Sequence, residues 1–257
     1  MKKLITSLAL VLLVSAAAFA QTRYTVVAFH KLQSGKTMDD GIAIEKQYLP
    51  IHEARKAAGI IDAWAMYVPY NNIKSEGIDF DYMTVNSGPD LDKLTLYPLE
   101  LFGDMLKTDP GLQKLAAATI QTQTILRHSI GKKITGTKPG TNKEHFIIFD
   151  MMKVTDAAAY EAFETKVQKV HEARIEAGNI SGWSLYKTLY PSSDEVKFNY
   201  TTVQSFDKLS KLDQFTDSYY KAIPKALGIS PEEFMKQVTV KRSLNATMLT
   251  KIALSTK

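Results

Sequence analysis

The sequence predicts an α+β protein made of two tandem βαββαβ repeats, and three observations predict it. The motif His-Glu-Ala-Arg-x-x-Ala-Gly-x-Ile-x-x-Trp occurs at His52 to Trp64 and again at His171 to Trp183, a constant offset of 119. Phe80-x-Tyr82-x-Thr84-Val85 returns as Phe198-x-Tyr200-x-Thr202-Val203, and Thr124-x-x-Arg127 as Thr239-x-x-Arg242. The hydrophobic periodicity switches between 2 and 3.6 in the same order on both sides of a polar segment at 135–143.

In the first repeat, residues 24–30 are a short apolar run rich in β-formers, hence a strand. A polar turn at 35–40 leads to a helix over 40–58, in which Ile44, Tyr48, Ile51 and Ala58 recur at helical spacing. Gly59 stands where a glycine in the left-handed region ends a helix. Strands follow at 64–68 and 80–86, separated by the turn material Pro69-Tyr70-Asn71-Asn72. Residues 90–107 read as helical, with an interruption at Pro98. Asp109-Pro110 has the form of an N-cap followed by proline at the first helical position, opening a short helix to 118. A fourth strand is expected at 120–130.

Thr135-Gly-Thr-Lys-Pro-Gly-Thr-Asn-Lys143 reads as a linker. Beyond it come a strand at 145–152, a helix at 156–177 striped by Phe163, Val167, Val170 and Ala177, and Gly178 as its stop. Strands at 183–189 and 198–204 precede a helical region at 207–226 that contains Pro224. Ser230-Pro231-Glu232-Glu233 carries the capping-box pattern of a short helix, and a last strand covers 238–249. The order in each half is the split βαβ arrangement, two helices on one face of an antiparallel sheet.

Tandem ferredoxin-like halves with these repeated motifs resemble the dimeric α/β-barrel superfamily, which includes antibiotic-biosynthesis-monooxygenase-like, EthD-like and NIPSNAP-like proteins. The resemblance implies that the two sheets face each other as one pseudo-dimeric α/β barrel with a cavity inside. It assigns no active residues, because no catalytic motif of a named member is present. The division expected is a signal peptide at 1–20, repeat one at 21–134, the linker at 135–143 and repeat two at 144–257.

Lys2-Lys3, an apolar run from Leu4 to Ala18 and the Ala18-Phe19-Ala20 site have the form of a secretory leader, so export to the periplasm or medium is expected, with cleavage near Ala20. Without Lys2 and Lys3 the formal charge falls from +5 to +3, and the lysines form no basic stripe, which argues against nucleic acid as a partner. The chain has no cysteine, hence neither disulfides nor thiolate metal sites. No second apolar run follows the leader, so no membrane span is expected in the mature chain; a monomer or a homodimer is compatible with a pseudo-dimer on one chain.

Arg55 and Arg174 continue the apolar stripes of their helices, where an unpaired guanidinium is costly. Three acceptors fit: the helix's own last carbonyls, a carboxylate or carbonyl elsewhere in the fold, or an anionic ligand. His52 and His171 sit three residues earlier, either as helix-end histidines or as bases; His-Glu-Ala-Arg is not a zinc motif, and neither metal nor cofactor is expected. Trp64, Tyr67, Trp183 and Tyr186 read as core or as ligand contacts, and a strand sends the tryptophan and tyrosine of each pair to opposite faces, so at most one of each pair faces the barrel interior. Phe80, Tyr82, Thr84 and Asn86 share a face, as do Phe198, Tyr200, Thr202 and Gln204, which suits either a pocket wall or a barrel mouth. Arg127 and Arg242 are a third repeated cation, with a surface salt bridge as the plainer reading. These ten (His52, Arg55, Trp64, Tyr82, Arg127, His171, Arg174, Trp183, Tyr200 and Arg242) are the candidate ligand contacts, with no catalytic residue assigned.

The expectation is an exported protein that binds a small molecule in a barrel cavity. The alternatives are a cell-envelope structural or interaction protein with a filled core, and a cofactor-independent monooxygenase- or isomerase-like enzyme. A glycine-rich phosphate loop and a G-x-S-x-G nucleophile elbow are both absent from the sequence.

Overall fold

The computed structural model describes residues 22–70, 79–95, 107–138, 140, 143–191, 198–236 and 241–252, with backbone alone at 241–248. The first half contains β1 (Tyr24–Leu32), α1 (Met38–Ala57), β2 (Ala63–Pro69), β3 (Tyr82–Gly88), α2 (Pro110–Thr122) and β4 (Gln123–Gly136). The second contains β5 (Phe146–Val154), α3 (Ala157–Glu176), β6 (Gly182–Tyr190), β7 (Tyr200–Phe206), a 3-10 turn (Leu209–Gln214), α4 (Phe215–Leu227), α5 (Pro231–Met235) and β8 (Lys241–Ile252). Residues 91–95 are helical; the rest of the region around Pro98 lies outside the described residues.

Local chemistry accounts for the helix ends. Thr37 and Asp40 form a reciprocal capping box at the start of α1, and Asp156 caps α3 through the amide of Ala159. Both long helices stop at a left-handed glycine, Gly59 at φ 67° and Gly178 at φ 73°. The expected strand start at 120 is corrected to 123. Helix α2 continues through Ile120, which faces solvent at 72 % exposure, to Thr122. At its other end β4 runs on to Gly136, so the first two residues of the segment read as a linker belong to a strand.

The eight strands close into an antiparallel barrel in the order β1-β3-β2-β8-β5-β7-β6-β4. Each half contributes four neighbouring strands, and two cross-half ladders, β2 with β8 and β4 with β6, complete the circle. These ladders are equivalent across the pseudo-twofold: Tyr67 lies opposite Lys251 on one, and Tyr186 opposite Lys133 on the other.

Both faces of the sheet are covered. The outward face carries Tyr82, Thr84 and Asn86, and Trp183, Leu185 and Tyr200, against the helices. The inward face carries Val27, Phe29, Tyr67, Met83, Ile147 and Leu249 as one apolar cluster inside the barrel. A third cluster, including Phe163, Val167, Ile223 and Phe234, joins α3 to α4 and α5. The face of Tyr82 and Tyr200, read as a possible pocket wall, is therefore a helix–sheet interface.

Candidate functional site

The duplicated motif builds the same cassette twice, between helix and sheet. In the first half, Arg55 Nη1 donates to Asn86 Oδ1 at 2.9 Å and lies 3.4 Å from His52 Nδ1. In the second, Arg174 Nη1 donates to Gln204 Oε1 at 2.9 Å and lies 3.2 Å from His171 Nδ1. Each imidazole stacks on its tryptophan, His52 on Trp64 at 4.6 Å and His171 on Trp183 at 4.7 Å between ring centres. A ring nitrogen facing a guanidinium must accept, which fixes the neutral imidazole with its proton on the other nitrogen. Burial, then the charge of Arg55, pushes His52 down to about 4.

Of the three acceptors open to the arginines, a carbonyl elsewhere in the fold is present in both halves, on Asn86 and on Gln204. Arg174 gains more: its Nε donates to Ser218 Oγ at 3.2 Å, its Nη2 to the Phe215 carbonyl at 3.2 Å, and the group lies over the rings of Phe215 and Tyr219. At 1 % exposure it clamps α3 to β7 and α4.

The other candidates are also held by protein groups. The Tyr82 hydroxyl donates to Glu45 Oε1 at 2.9 Å, and Tyr200 donates to Glu161. Arg127 pairs with Asp79 at 2.7 Å over the ring of Phe29, the surface salt bridge of its plainer reading. The side chain of Arg242 lies outside the described residues. Among the described residues no group of three or more His, Asp or Glu is placed to hold a metal.

The barrel interior holds a cavity of about 440 Å³, within the range of small-molecule sites. Of the nine candidates with described side chains, only Trp183 touches it, from a strand position whose indole ring stacks on His171 at the outer face. The charged and phenolic groups around it are Tyr67, Lys133, Glu144, Tyr186 and Lys251. Val27, Val85, Phe149 and Val203 supply an apolar wall, and Thr25, Ser184 and Thr201 are among the hydroxyls. A smaller hollow of about 220 Å³ touches His52 and Trp64 between α1 and β2.

The cavity lies where the halves differ. Strand register pairs Thr25 with Gly131 in one half and Ile147 with Leu249 at the equivalent place in the other. In the same way Tyr186 faces Thr201 where Tyr67 faces Met83, and Ser184 faces Val203 where Ala65 faces Val85. Ile147, Leu249 and Met83 are packed in the apolar cluster; their small or hydroxylated counterparts leave the space. Gly131 suits the close approach there, since a Cβ would come 3.0 Å from Thr25 Oγ1 and push that side chain aside.

Glu144 ties one side of the cavity. Its Oε1 accepts from the Tyr67 hydroxyl at 2.7 Å and from Lys251 Nζ at 3.1 Å. Burial and this carboxylate push the Tyr67 phenol well up, and burial raises Tyr186, so both are protonated donors at neutral pH. Burial first, and then Arg23, lowers Lys133.

None of these five is among the ten candidates, although the sequence offers Tyr67 and Tyr186 as core or ligand contacts and the repeat contains four of the five. Tyr67 recurs as Tyr186, and Lys133 as Lys251 at an offset of 118. The rule that Trp and Tyr three apart face opposite ways holds; the tyrosine is the inward member of each pair.

The fold is that of the ferredoxin-like dimeric α/β barrel, shared with solved structures of low identity. A candidate monooxygenase from Fusobacterium nucleatum superposes with a TM-score of 0.51 at 12 % identity, covering 91 % of this chain and 94 % of that one. A heme-binding protein from Thermus thermophilus gives 0.50 at 11 % identity, covering 90 % and 93 %. A candidate chlorite dismutase gives 0.49 at 12 % identity, covering 90 % and 95 %. No protein-family model and no curated protein matches the sequence.

Proposed function

We propose that this chain is a binding protein for a small amphipathic molecule, with the barrel cavity as its site and the duplicated His-Arg-Trp cassettes as framework. The observation that carries the reading is the asymmetric interior: a cavity of about 440 Å³ whose lining combines apolar residues with hydroxyl, phenol and ammonium groups. The filled-core alternative fits the cassettes, whose arginines donate to Asn86 and Gln204, but not this interior.

The enzyme reading has weaker support. Among the described lining residues there is no histidine, Glu144 is engaged by Tyr67 and Lys251, and both phenols hold their protons, which leaves Lys133, lowered by burial and Arg23, as the one group among them suited to act as a base. Heme, bound by one of the structural neighbours, would find no histidine among the described lining residues and no cysteine in the chain; the lining phenols Tyr67 and Tyr186 hold their protons, and Met83 is packed in the apolar cluster. The leader-like first twenty residues support export of the mature chain from Gln21. Among the described residues no helix is long and apolar enough to cross a membrane.

Native mass spectrometry of the purified protein, with a thermal-shift panel of small aromatic acids, alcohols and amides, tests the reading. A mass excess lost on denaturation, or a melting temperature raised by panel members in the wild type and not in Thr201→Met, is expected. A bare native mass together with no shift from any member would overturn it.

A further inference from the structure

The two cross-half ladders carry one feature that their symmetry leaves incomplete. On one ladder Lys251 lies opposite Tyr67, and the Glu144 carboxylate bridges the pair at 3.1 and 2.7 Å. On the other, Lys133 lies opposite Tyr186, and both line the cavity. The backbone amides locate the missing partner: Lys251 N donates to the His145 carbonyl and Lys133 N to the Arg23 carbonyl, both at 2.8 Å. Arg23 is thus the counterpart of His145, and Thr22 that of Glu144. A neutral residue stands where the first ladder has its carboxylate. Among the described residues no carboxylate pairs with Lys133, and Arg23, itself paired with Asp62, adds positive charge nearby.

Resting on the cavity reading above, we infer that the ligand is a carboxylic acid with an apolar body, its carboxylate bridging Lys133 Nζ and the Tyr186 hydroxyl as the Glu144 carboxylate bridges Lys251 and Tyr67. Ammonium and phenol are both donors, and a carboxylate accepts from the two at once. The apolar wall of Val27, Val85, Phe149 and Val203 would receive the body of the acid. Burial and Arg23 together disfavour the Lys133 ammonium, and an anion beside it relieves both effects. An ammonium with no carboxylate partner among the described residues, beside an apolar wall, suits a monocarboxylate better than a phosphate, which carries more charge and needs more donors.

Calorimetric titration with 2-naphthoate and its neutral isostere 2-naphthamide tests this in the wild type, Lys133→Met, Lys133→Arg and Tyr186→Phe. The wild type should favour the acid by about tenfold or more, the usual scale of one charge-assisted contact. Lys133→Met should lose that preference while still binding the amide, which reports a folded cavity. Lys133→Arg should restore most of it, and Tyr186→Phe should lose part. Equal affinity for acid and amide in the wild type, or an acid preference that survives Lys133→Met, overturns the carboxylate assignment and leaves the cavity reading standing. Failure of both probes to bind the wild type overturns the two together.

Discussion

Arg174 donates to Gln204 across the helix–sheet boundary at 2.9 Å, with the guanidinium 1 % exposed and no carboxylate among the partners the structure gives it. A buried cation is thus held by neutral groups: one amide oxygen, one imidazole nitrogen, one hydroxyl and one backbone carbonyl. Burial lowers its pKa to about 10, and the group stays charged at neutral pH.

Removing one dipole should therefore cost more than an ordinary hydrogen bond. Gln204→Leu is expected to destabilise by about 2–4 kcal/mol, the scale for stripping a partner from a buried charge. Gln204→Glu gives the guanidinium a carboxylate and should cost less. Urea denaturation of both variants checks the order, and a smaller loss for Leu than for Glu would contradict this account.

The first half contains a buried carboxyl with the opposite character. Burial raises Glu45 to about 7, against the bonds from Tyr82 and Gln123 that favour its ionised form. In the folded chain it keeps its proton where the unfolded chain has lost it, so its stability contribution is complete below about 4.5 and is lost as pH rises through about 7. Glu45→Gln should match the wild type near pH 5 and exceed it by about 1–3 kcal/mol at pH 8. Melting temperatures over this range decide it.

His52 works in the other direction. Its folded pKa of about 4 lies below the ordinary 6.5, so its contribution is present above 6.5 and is lost as pH falls through about 4. Because the ring stacks on Trp64, protonation should alter that tryptophan's fluorescence. In a Trp183→Phe background the expected midpoint is near 4, and a midpoint near 6.5 would show that the ring is not held as described.

Interior asymmetry gives a constructive test. Thr201→Met installs the residue that the other half carries as Met83, and should abolish naphthoate binding while changing stability by no more than about 1–2 kcal/mol. Thr25→Ile, after Ile147, should weaken binding less severely because it fills less space. Calorimetry alongside denaturation separates blocked binding from lost folding.

Much of the fold was legible because it is written twice. Strand and helix periods, Gly59 and Gly178, and the repeated caps all act locally and agree with each other. The misplaced start of β4 has a local cause, since Ile120 extends an apolar run while belonging to the exposed side of α2. The site was less legible for a topological reason. In a barrel wrapped by helices both faces of each strand are covered, so the alternation that normally marks inside from outside is weak. Arg55 and Arg174 drew attention as charges on an apolar stripe, yet that stripe faces the outer side of the sheet, one layer from the cavity. Lys133 and Tyr186 are unremarkable in sequence, and their meaning emerges only when β4 and β6 are paired.

The closing ladders β2–β8 and β4–β6 join the halves into one ring, with both halves on a single chain. Two identical subunits forming such a ring would carry every substitution twice, and any pocket on one side would reappear on the other. A fused pair escapes that constraint. Gly131 could stay small while its counterpart became Leu249, and Glu144 could arise on one side with Thr22 on the other. Duplication within one gene thereby lets ancestry supply a symmetric frame and later divergence supply a single, oriented chamber, one per polypeptide.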